Sequence, residues 1–318
     1  MREAATFLAR RLGGLALTML AVSFLVFLIL ELDPDGVAVK VLGQFSTPDQ
    51  RQAWLAENGY LDPFPLRYLR WLTEFVQGRW GRSTYYSEDI LTLIAPRLGA
   101  SAILAGGALL VMIPLSLALG VAAGAREGSR LDRSISLVAI VTTSIPEFAT
   151  AVFLSAVFVI GLGWLPGVST MAGGFSIREL VLPVAVLVLA SSGYIARMTR
   201  AAMAEVMAQP YVRTARLKGA SPGRVILRHA LRNAMITPVT VIMLQIPWIL
   251  SGVIVVEVFF AYRGFGTLLY QASLNADVYL VEACAMISVL VVVVTQTLAD
   301  LIYLRLDPRL SAATGRRT

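Results

Sequence analysis

Long apolar runs alternate with shorter polar segments along the whole chain. Six runs reach the roughly 17–25 residues that a helix needs to cross a bilayer. They cover residues 12–30, 98–122, 134–160, 180–199, 233–260 and 279–304. Because lipid offers the backbone no hydrogen-bond partner, helices suit this environment and open strands do not. The pattern therefore predicts an all-α integral membrane fold with six transmembrane helices.

The longest polar stretch, residues 31–97, lies between the first two runs. Ser46 or Thr47 followed by Pro48 is typical of a helix start, and the Asn-Gly pair ten residues later is typical of a helix end. A second helix is predicted over LDPFPLRYLRWLTEFV. Along one face of this helix lie Leu66, Leu69, Leu72, Phe75 and Val76. The segment is expected to form either a lid over an outer opening or a docking surface.

Composition supports the membrane class and argues against catalysis. Of the 318 residues, 57% are hydrophobic and 15% charged, against about 45–50% and about 25% in soluble domains. The only cysteine is Cys284 and the only histidine is His229, so no intrachain disulfide or histidine cluster for a metal can form. The only lysines, Lys40 and Lys218, do not fit a phosphate-binding P-loop. We expect no catalytic residue, no metal site and no cofactor bound by this chain.

The distribution of cations predicts the orientation. With residues 1–11 as a cytoplasmic N-terminus, eighteen of the 27 cations fall on the inner side. The two short outer loops hold only Arg178 and Arg263. The remaining seven lie in residues 31–97, which are long enough to cross regardless of charge. The chain is thus predicted to be N-in and C-in, with a large extracytoplasmic segment at 31–97 and a membrane core over 98–318.

The most basic stretch, "YVRTARLKGASPGRVILRHALRNAMITP", begins at Tyr211 within a loop that covers residues 200–232. A short helix is predicted up to Lys218, closed by Gly219, and a second helix is predicted from Ser221-Pro222 into the fifth span. Three interpretations compete: a DNA-binding helix-turn-helix, a lipid-facing collar, and a docking element for a cytoplasmic partner. The DNA interpretation would use a stripe at Arg224, Arg228 and Arg232, yet a helix that merges with a span cannot enter a major groove.

Polar residues within the spans are candidates for the substrate path, because ionisable groups in the membrane are costly. These candidates are Glu147, Gln245 and Glu257. Pro146 precedes Glu147 and is expected to kink the third span. For Glu257, pairing with Arg263 or with a partner subunit is the alternative.

The stretch "RTARLKGASPGRVILRHALR" resembles the cytoplasmic EAA-type loop of ABC importer permeases. Gly219, Ala215 and Leu231 match its pattern, whereas Arg213 stands for the glutamate and Thr214 for the first alanine. The departures continue at His229 and Arg232. "PYVRTARLKG" and "RVILRHALRNA" are similar to the B-type permeases of dipeptide and oligopeptide importers. "DPFPLRYLRWL", "GSRLDRSISLVAIVTTSIPEF" and "VVEVFFAYRGFGTLLYQASLNADVYLVEA" extend the resemblance over nearly the whole chain.

The resemblance implies a type I permease fold in a bacterial cytoplasmic (inner) membrane and alternating access driven by ATP. Its implied partners are a homologous second permease, two cytoplasmic ATPases or one fused ATPase that bind ATP and Mg, an extracytoplasmic substrate-binding protein, and membrane lipid, with no nucleic acid. Relatives of this branch carry peptides, nickel chelates or glutathione. The alternative function is a stand-alone channel or a secondary transporter for a small solute.

The resemblance also implies which residues of the loop couple to the ATPase. The residues concerned are Tyr211, Arg213, Thr214, Ala215, Arg216, Lys218, Gly219 and Ala220. Arg213, Arg216 and Lys218 are expected to make charged contacts. The small residues Thr214, Ala215, Gly219 and Ala220 are expected to allow close packing.

Overall fold

The computed structural model describes residues 2–306, and side chains within 13–299 except at positions 30, 247, 250 and 251. These residues are helical apart from their connections and one isolated β-bridge between Arg82 and Asp89. The prediction of an all-α fold is confirmed.

The helices follow one another with short connections. They are α1 Arg2–Glu31, α2 Pro34–Leu42, α3 Pro48–Glu57, α4 Phe64–Val76, α5 Ile90–Gly124, α6 Arg130–Ser144, α7 Glu147–Ser155, α8 Ile177–Met207, α9 Pro210–Leu217, α10 Pro222–Arg224, α11 Leu231–Ala234, α12 Ile236–Phe259, α13 Phe265–Leu274 and α14 Val278–Leu306. The π-helical turns Ala156–Gly161 and Val225–Ala230 continue α7 and α10. Each of the six predicted runs falls on helices of this series, and α2 and α13 were not anticipated.

Several of these helices could cross a membrane. Over the described residues, the stretches Ile90–Gly124, Ile177–Met207 and Val278–Ala299 are long and apolar enough by themselves. Two bent pairs raise the number to five if each is one span: Gly13–Ile29 with Pro34–Leu42, and Arg130–Ser144 with Glu147–Gly161. Within α12, the stretch Ile236–Ile246 forms a shorter apolar helix. The chain is a multi-pass membrane protein, while the count of six spans stays a prediction.

The kink predicted at Pro146 is a sharp break. The axes of Arg130–Ser144 and Glu147–Gly161 meet at 104°. Hydroxyl groups at the end of α6 turn back onto its own carbonyls: Thr143 Oγ1 donates to the Ala139 oxygen and Ser144 Oγ to the Ile140 oxygen, each over 2.8 Å. These bonds satisfy the two hydroxyl groups within the helix, and such i−4 bonds of serine and threonine favour bending of a helix.

One compact unit contains the residues up to Ser101 together with Arg263–Val294. In it, α1 and α4 pack through aromatic rings. Phe27 contacts Tyr68 and Trp71, with ring centroids 5.6 Å and 5.4 Å away. The predicted helix forms as α4, and on its apolar face Leu66, Leu69 and Val76 are exposed. Spacing identified apolar positions on this helix but not which of them have neighbours.

The helix predicted from Ser46 or Thr47 forms as α3, with Thr47 as its N-cap. The Thr47 hydroxyl accepts the Gln50 amide proton over 3.3 Å, and the Gln50 side-chain oxygen accepts the Thr47 amide proton over 2.9 Å. This reciprocal pair is a capping box, which satisfies two amides at the start of a helix. Of the two N-caps predicted from the sequence, the structure shows the second.

A network of buried polar side chains in the same unit includes Arg67 of α4. The Arg67 guanidinium pairs with the Glu31 carboxylate, and both side chains are less than a tenth exposed. The Tyr60 hydroxyl donates to Glu31 Oε1 over 2.7 Å and lies 3.3 Å from the Tyr279 hydroxyl. Burial, and next the nearby charge of Glu31, raises the pKa of the Tyr60 phenol. Tyr60 therefore stays protonated and remains a hydrogen-bond donor.

The second compact unit contains Ala102–Tyr262 together with the residues from Thr295 onward. Here α8 packs against α6, α7 and α12. Close approach depends on glycines: a Cβ built on Gly193 would lie 2.4 Å from the Ala139 carbonyl oxygen of α6, and one built on Gly120 would lie 2.6 Å from the Ala196 oxygen of α8. Small residues at helix crossings allow such contacts in membrane proteins.

Candidate functional site

The cytoplasmic loop predicted at 200–232 contains a short helix that ends in a well-formed turn. Helix α9 ends at Leu217, and Gly219 adopts a left-handed conformation with φ +81°. The Gly219 amide donates to the Arg216 oxygen over 2.9 Å, and the Ala220 amide to the Ala215 oxygen over 3.2 Å. These two bonds make a Schellman motif, in which glycine is favoured because it lacks a Cβ. The structure thus shows the helix end predicted from Gly219.

Helix α9 is amphipathic, and its apolar face is used within the chain. Val212 and Ala215 form a buried cluster with Val225, against which Val206 and Met207 at the end of α8 also pack. The opposite face is exposed and polar; it carries Arg213, Thr214, Arg216 and Lys218. Among these exposed residues stands one apolar side chain, Leu217, which is 80% exposed.

The second helix of the loop begins at Pro222 after Ser221 at the N-cap, as predicted, although the Ser221 side chain makes no capping bond. Met203 of α8, Ala230 and Ala234 form a buried cluster. The Asn233 amide donates to the Tyr211 hydroxyl over 2.8 Å, which joins α9 to α11. The candidate residues therefore belong to one packed element rather than to an extended loop.

An ion pair near the end of α8 was not predicted from the sequence. Arg200 Nε donates to Asp132 Oδ1 and Arg200 Nη2 to Asp132 Oδ2, both over 2.8 Å. Asp132 is 3% exposed and also accepts the Gly128 amide proton over 2.9 Å. Ser129 caps α6 by accepting the Asp132 amide proton. The Ser-x-x-Asp spacing marks a helix start in sequence, but nothing local indicates a partner 68 residues away.

Asp132→Asn is expected to lower the free energy of unfolding by about 1.5 kcal/mol, because it removes the charge from a bidentate pair in which Asp132 is nearly buried and Arg200 is 31% exposed. The matched control is Glu127→Gln, since Glu127 is 60% exposed and its carboxylate lies 3.6 Å from the same guanidinium. An exposed pair contributes less than about 1 kcal/mol. Denaturant titration of both variants in mixed micelles measures the difference, and equal losses would remove the special role of Asp132.

The candidates for the substrate path do not gather at one place. Glu147 lines an open cavity of about 520 Å³ with Pro146, Trp248, Gly252 and other residues. Its carboxylate lies over Gly252, where an added Cβ would approach Glu147 Oε1 to 2.5 Å. Neither of the other two candidates lines this cavity: Gln245 is half-buried and Glu257 is fully buried.

Comparison with known proteins decides the family. Residues 116–312 match the family described as the binding-protein-dependent transport system inner membrane component. The chain belongs to this family. Residues 4–103 match the N-terminal region of the membrane component of the same kind of transport system.

Similar proteins are found in several bacteria. The chain is 32% identical over 299 residues to the oligopeptide transport system permease protein AppB of Bacillus subtilis, covering 92% of this chain and 95% of that protein. It is 34% identical over 295 residues to a protein of Brucella abortus named as a peptide transport system permease, covering 92% and 94%. A Brucella suis protein named as a peptide permease is 35% identical over 312 residues, covering 95% and 98%.

Membership in the binding-protein-dependent family gives the packed loop a context, since the chain is a membrane component of a transport system. Within the described residues, no group of three or more histidine, cysteine, aspartate or glutamate side chains is placed to hold a metal. At the loop, α9 exposes a cationic face and packs its apolar face against the same chain.

Proposed function

We propose that this chain is a translocation subunit of an ATP-driven importer of di- and oligopeptides. The family and the names of the relatives support the transport role and the substrate class. The observation that carries the coupling role is α9, a helix fixed by its buried face and presenting its polar face outward. In this proposal the six-span, N-in and C-in topology lies in the inner membrane, and residues 31–97 face the extracytoplasmic side.

The proposed assembly contains further chains. A homologous second permease would complete the pathway, an extracytoplasmic binding protein would deliver the peptide, and two ATPases or one fused ATPase would bind ATP and Mg. ATP would be hydrolysed on these partner chains. Arg213, Arg216 and Lys218 would contact acidic groups of the ATPase, and Leu217 would supply an apolar contact at the centre of that surface.

The packing suggests how motion would pass from the ATPase to the spans. Val212 and Ala215 fix α9 to the end of α8 and to the helix that leads into α12. Arg200 fixes the start of α6 to the same end of α8 through Asp132. A displacement of α9 would therefore move three helices together, as expected for a two-state element biased by a ligand on another chain.

The proposed coupling between the ATPase and the spans depends on the left-handed turn at Gly219. Gly219→Arg is expected to keep membrane insertion and to reduce peptide uptake by about fivefold or more. A side chain disfavours the left-handed conformation at φ +81° by about 1–2 kcal/mol, so the end of α9 would leave the geometry proposed for docking at least about five times more often. Uptake and ATP hydrolysis are measured together in proteoliposomes that contain the assembled complex.

Gly223→Arg is the matched control, because it adds the same charge to the same loop at a glycine of ordinary φ. Within the described residues, a Cβ at Gly223 has no neighbour within 4 Å. This control should retain uptake. Uptake by Gly219→Arg at the wild-type level would contradict the coupling role, and uptake by the purified chain without ATPases would favour a stand-alone channel.

A further inference from the structure

A buried carboxylate in the first unit lacks a partner for one of its oxygens. Glu282 of α14 is 2% exposed, and its Oε1 has no hydrogen-bond partner among the described residues. Leaving a buried polar oxygen unpaired is costly. The same side chain lines a cavity of about 110 Å³. An unpaired acceptor beside a cavity indicates that this cavity can bind a hydrogen-bond donor.

The groups around Glu282 do not supply a cation of its own, and the Trp71 indole is the one side chain that hydrogen-bonds its carboxyl group among the described residues. Glu31 and Arg67 are the charged groups that act on its carboxylate. Arg67 is already engaged, because it pairs with Glu31 and lies over the Tyr60 ring at 4.7 Å. Two carboxylates thus share one guanidinium. The oppositely charged Glu74 and Arg79, both exposed, line the rim of the cavity and offset each other. When Glu282 is ionised, a bound cation would therefore be its only undivided counter-charge among the described residues.

The walls of the cavity are aromatic. Trp71, Phe75, Trp80 and Tyr279 all line it. Phe75 and Trp80 stack with centroids 5.2 Å apart, and the Trp80 indole N–H is used by the Phe75 carbonyl oxygen. Ring faces attract organic cations, best when these are desolvated. Ca²⁺, by contrast, requires about six to eight oxygen ligands, which two carboxylates and a phenol do not provide.

We propose that this cavity binds a primary ammonium group, with Glu282 Oε1 accepting one of its N–H bonds and the aromatic rings surrounding the cation. A water molecule occupies about 30 Å³ of liquid volume, so a cavity of about 110 Å³ accommodates an ammonium group with one or two carbons. The group can belong to a small soluble amine or to the headgroup of phosphatidylethanolamine. The site is separate from the coupling loop and does not depend on the peptide substrate.

Tryptophan fluorescence tests the site directly, because two tryptophans line it. The full chain in phosphatidylcholine nanodiscs is titrated with methylammonium chloride, and with sodium chloride and tetramethylammonium chloride at equal ionic strength. Only methylammonium should give a saturable change, since it alone combines a positive charge with N–H donors on a small organic group. The same saturable response to sodium, or no response to methylammonium, would overturn the proposal.

Variants separate binding from general charge effects. Glu282→Gln keeps the shape of the side chain and is expected to weaken methylammonium binding about tenfold or more, as for loss of a charged hydrogen bond. Glu57→Gln removes an exposed acid that does not line the cavity and should leave the affinity unchanged. Unchanged affinity in Glu282→Gln refutes the assignment. Adding phosphatidylethanolamine to the nanodiscs distinguishes the sources: a headgroup competes with methylammonium, whereas a soluble-amine site binds it as before.

Discussion

Replacement of Arg67 by methionine is expected to lower the free energy of unfolding by about 3–5 kcal/mol. The change leaves the Glu31 carboxylate, which is 4% exposed, without its cation. It also removes a guanidinium that lies 5.8 Å from the centroid of the Phe27 ring. Methionine fills a similar volume, so the loss reports the unpaired charge more than a cavity. Denaturant titration of the purified chain in mixed micelles measures it.

Arg70→Met on the same helix is the matched control. Arg70 pairs with Asp62 over 2.6 Å, but the two side chains are 47% and 39% exposed. Solvent screens such a pair, and its loss should cost less than about 1 kcal/mol. Combining Glu31→Gln with Arg67→Met should recover part of the stability, because the side chain at position 31 is then no longer charged. If Arg67→Met and Arg70→Met lower the free energy of unfolding by the same amount, burial of the Glu31–Arg67 pair does not contribute to stability.

Gly120→Val is the second change for which a large effect is expected, a loss of about 3 kcal/mol or more at the upper end of overpacking costs. A Cβ at this position would lie 2.4 Å from Thr199 Cβ and 2.6 Å from the Ala196 oxygen. The second contact is with backbone, so a rotamer change cannot relieve it. Helices α5 and α8 must separate, and Gly124 four residues later would lose its own close contact with the Arg200 carbonyl.

Gly106→Val tests whether this loss comes from packing or from helix propensity. Gly106 lies on the same helix and is exposed, and a Cβ there meets no described atom within 4 Å. The intrinsic preferences of glycine and valine in helices differ by less than about 0.5 kcal/mol, so the change should be nearly neutral. Thermal unfolding in detergent compares the two variants. Similar midpoints for both would show that the α5–α8 crossing tolerates separation.

Local signals in the sequence predicted the parts of the fold that depend on neighbouring residues. The capping box at Thr47 and the left-handed turn at Gly219 are formed within a few residues, so residue type and spacing suffice to place them. The apolar runs predicted helices because bilayer thickness sets their length. The break at Pro146 was expected as a kink, but its angle depends on packing with other helices.

Features that depend on distant residues could not be predicted. Arg67 pairs across 36 positions and Arg200 across 68, and neither is distinguished by type or spacing from the exposed arginines. The apolar face of α4 was predicted, but periodicity does not say what lies opposite a helix, so the exposure of Leu66, Leu69 and Val76 was not. Ala215 was expected to pack on a partner chain, whereas the structure buries it against its own chain.

The break between α6 and α7 has a consequence for biosynthesis. Arg130–Ser144 and Glu147–Gly161 contain 15 residues each, or about 22 Å of helix. A hydrocarbon layer is about 30 Å thick, so neither half can cross it alone. Both halves pack against α8, which the ribosome makes later. The segment from Arg130 to Gly161 is therefore expected to reach its final position only after α8 has been made.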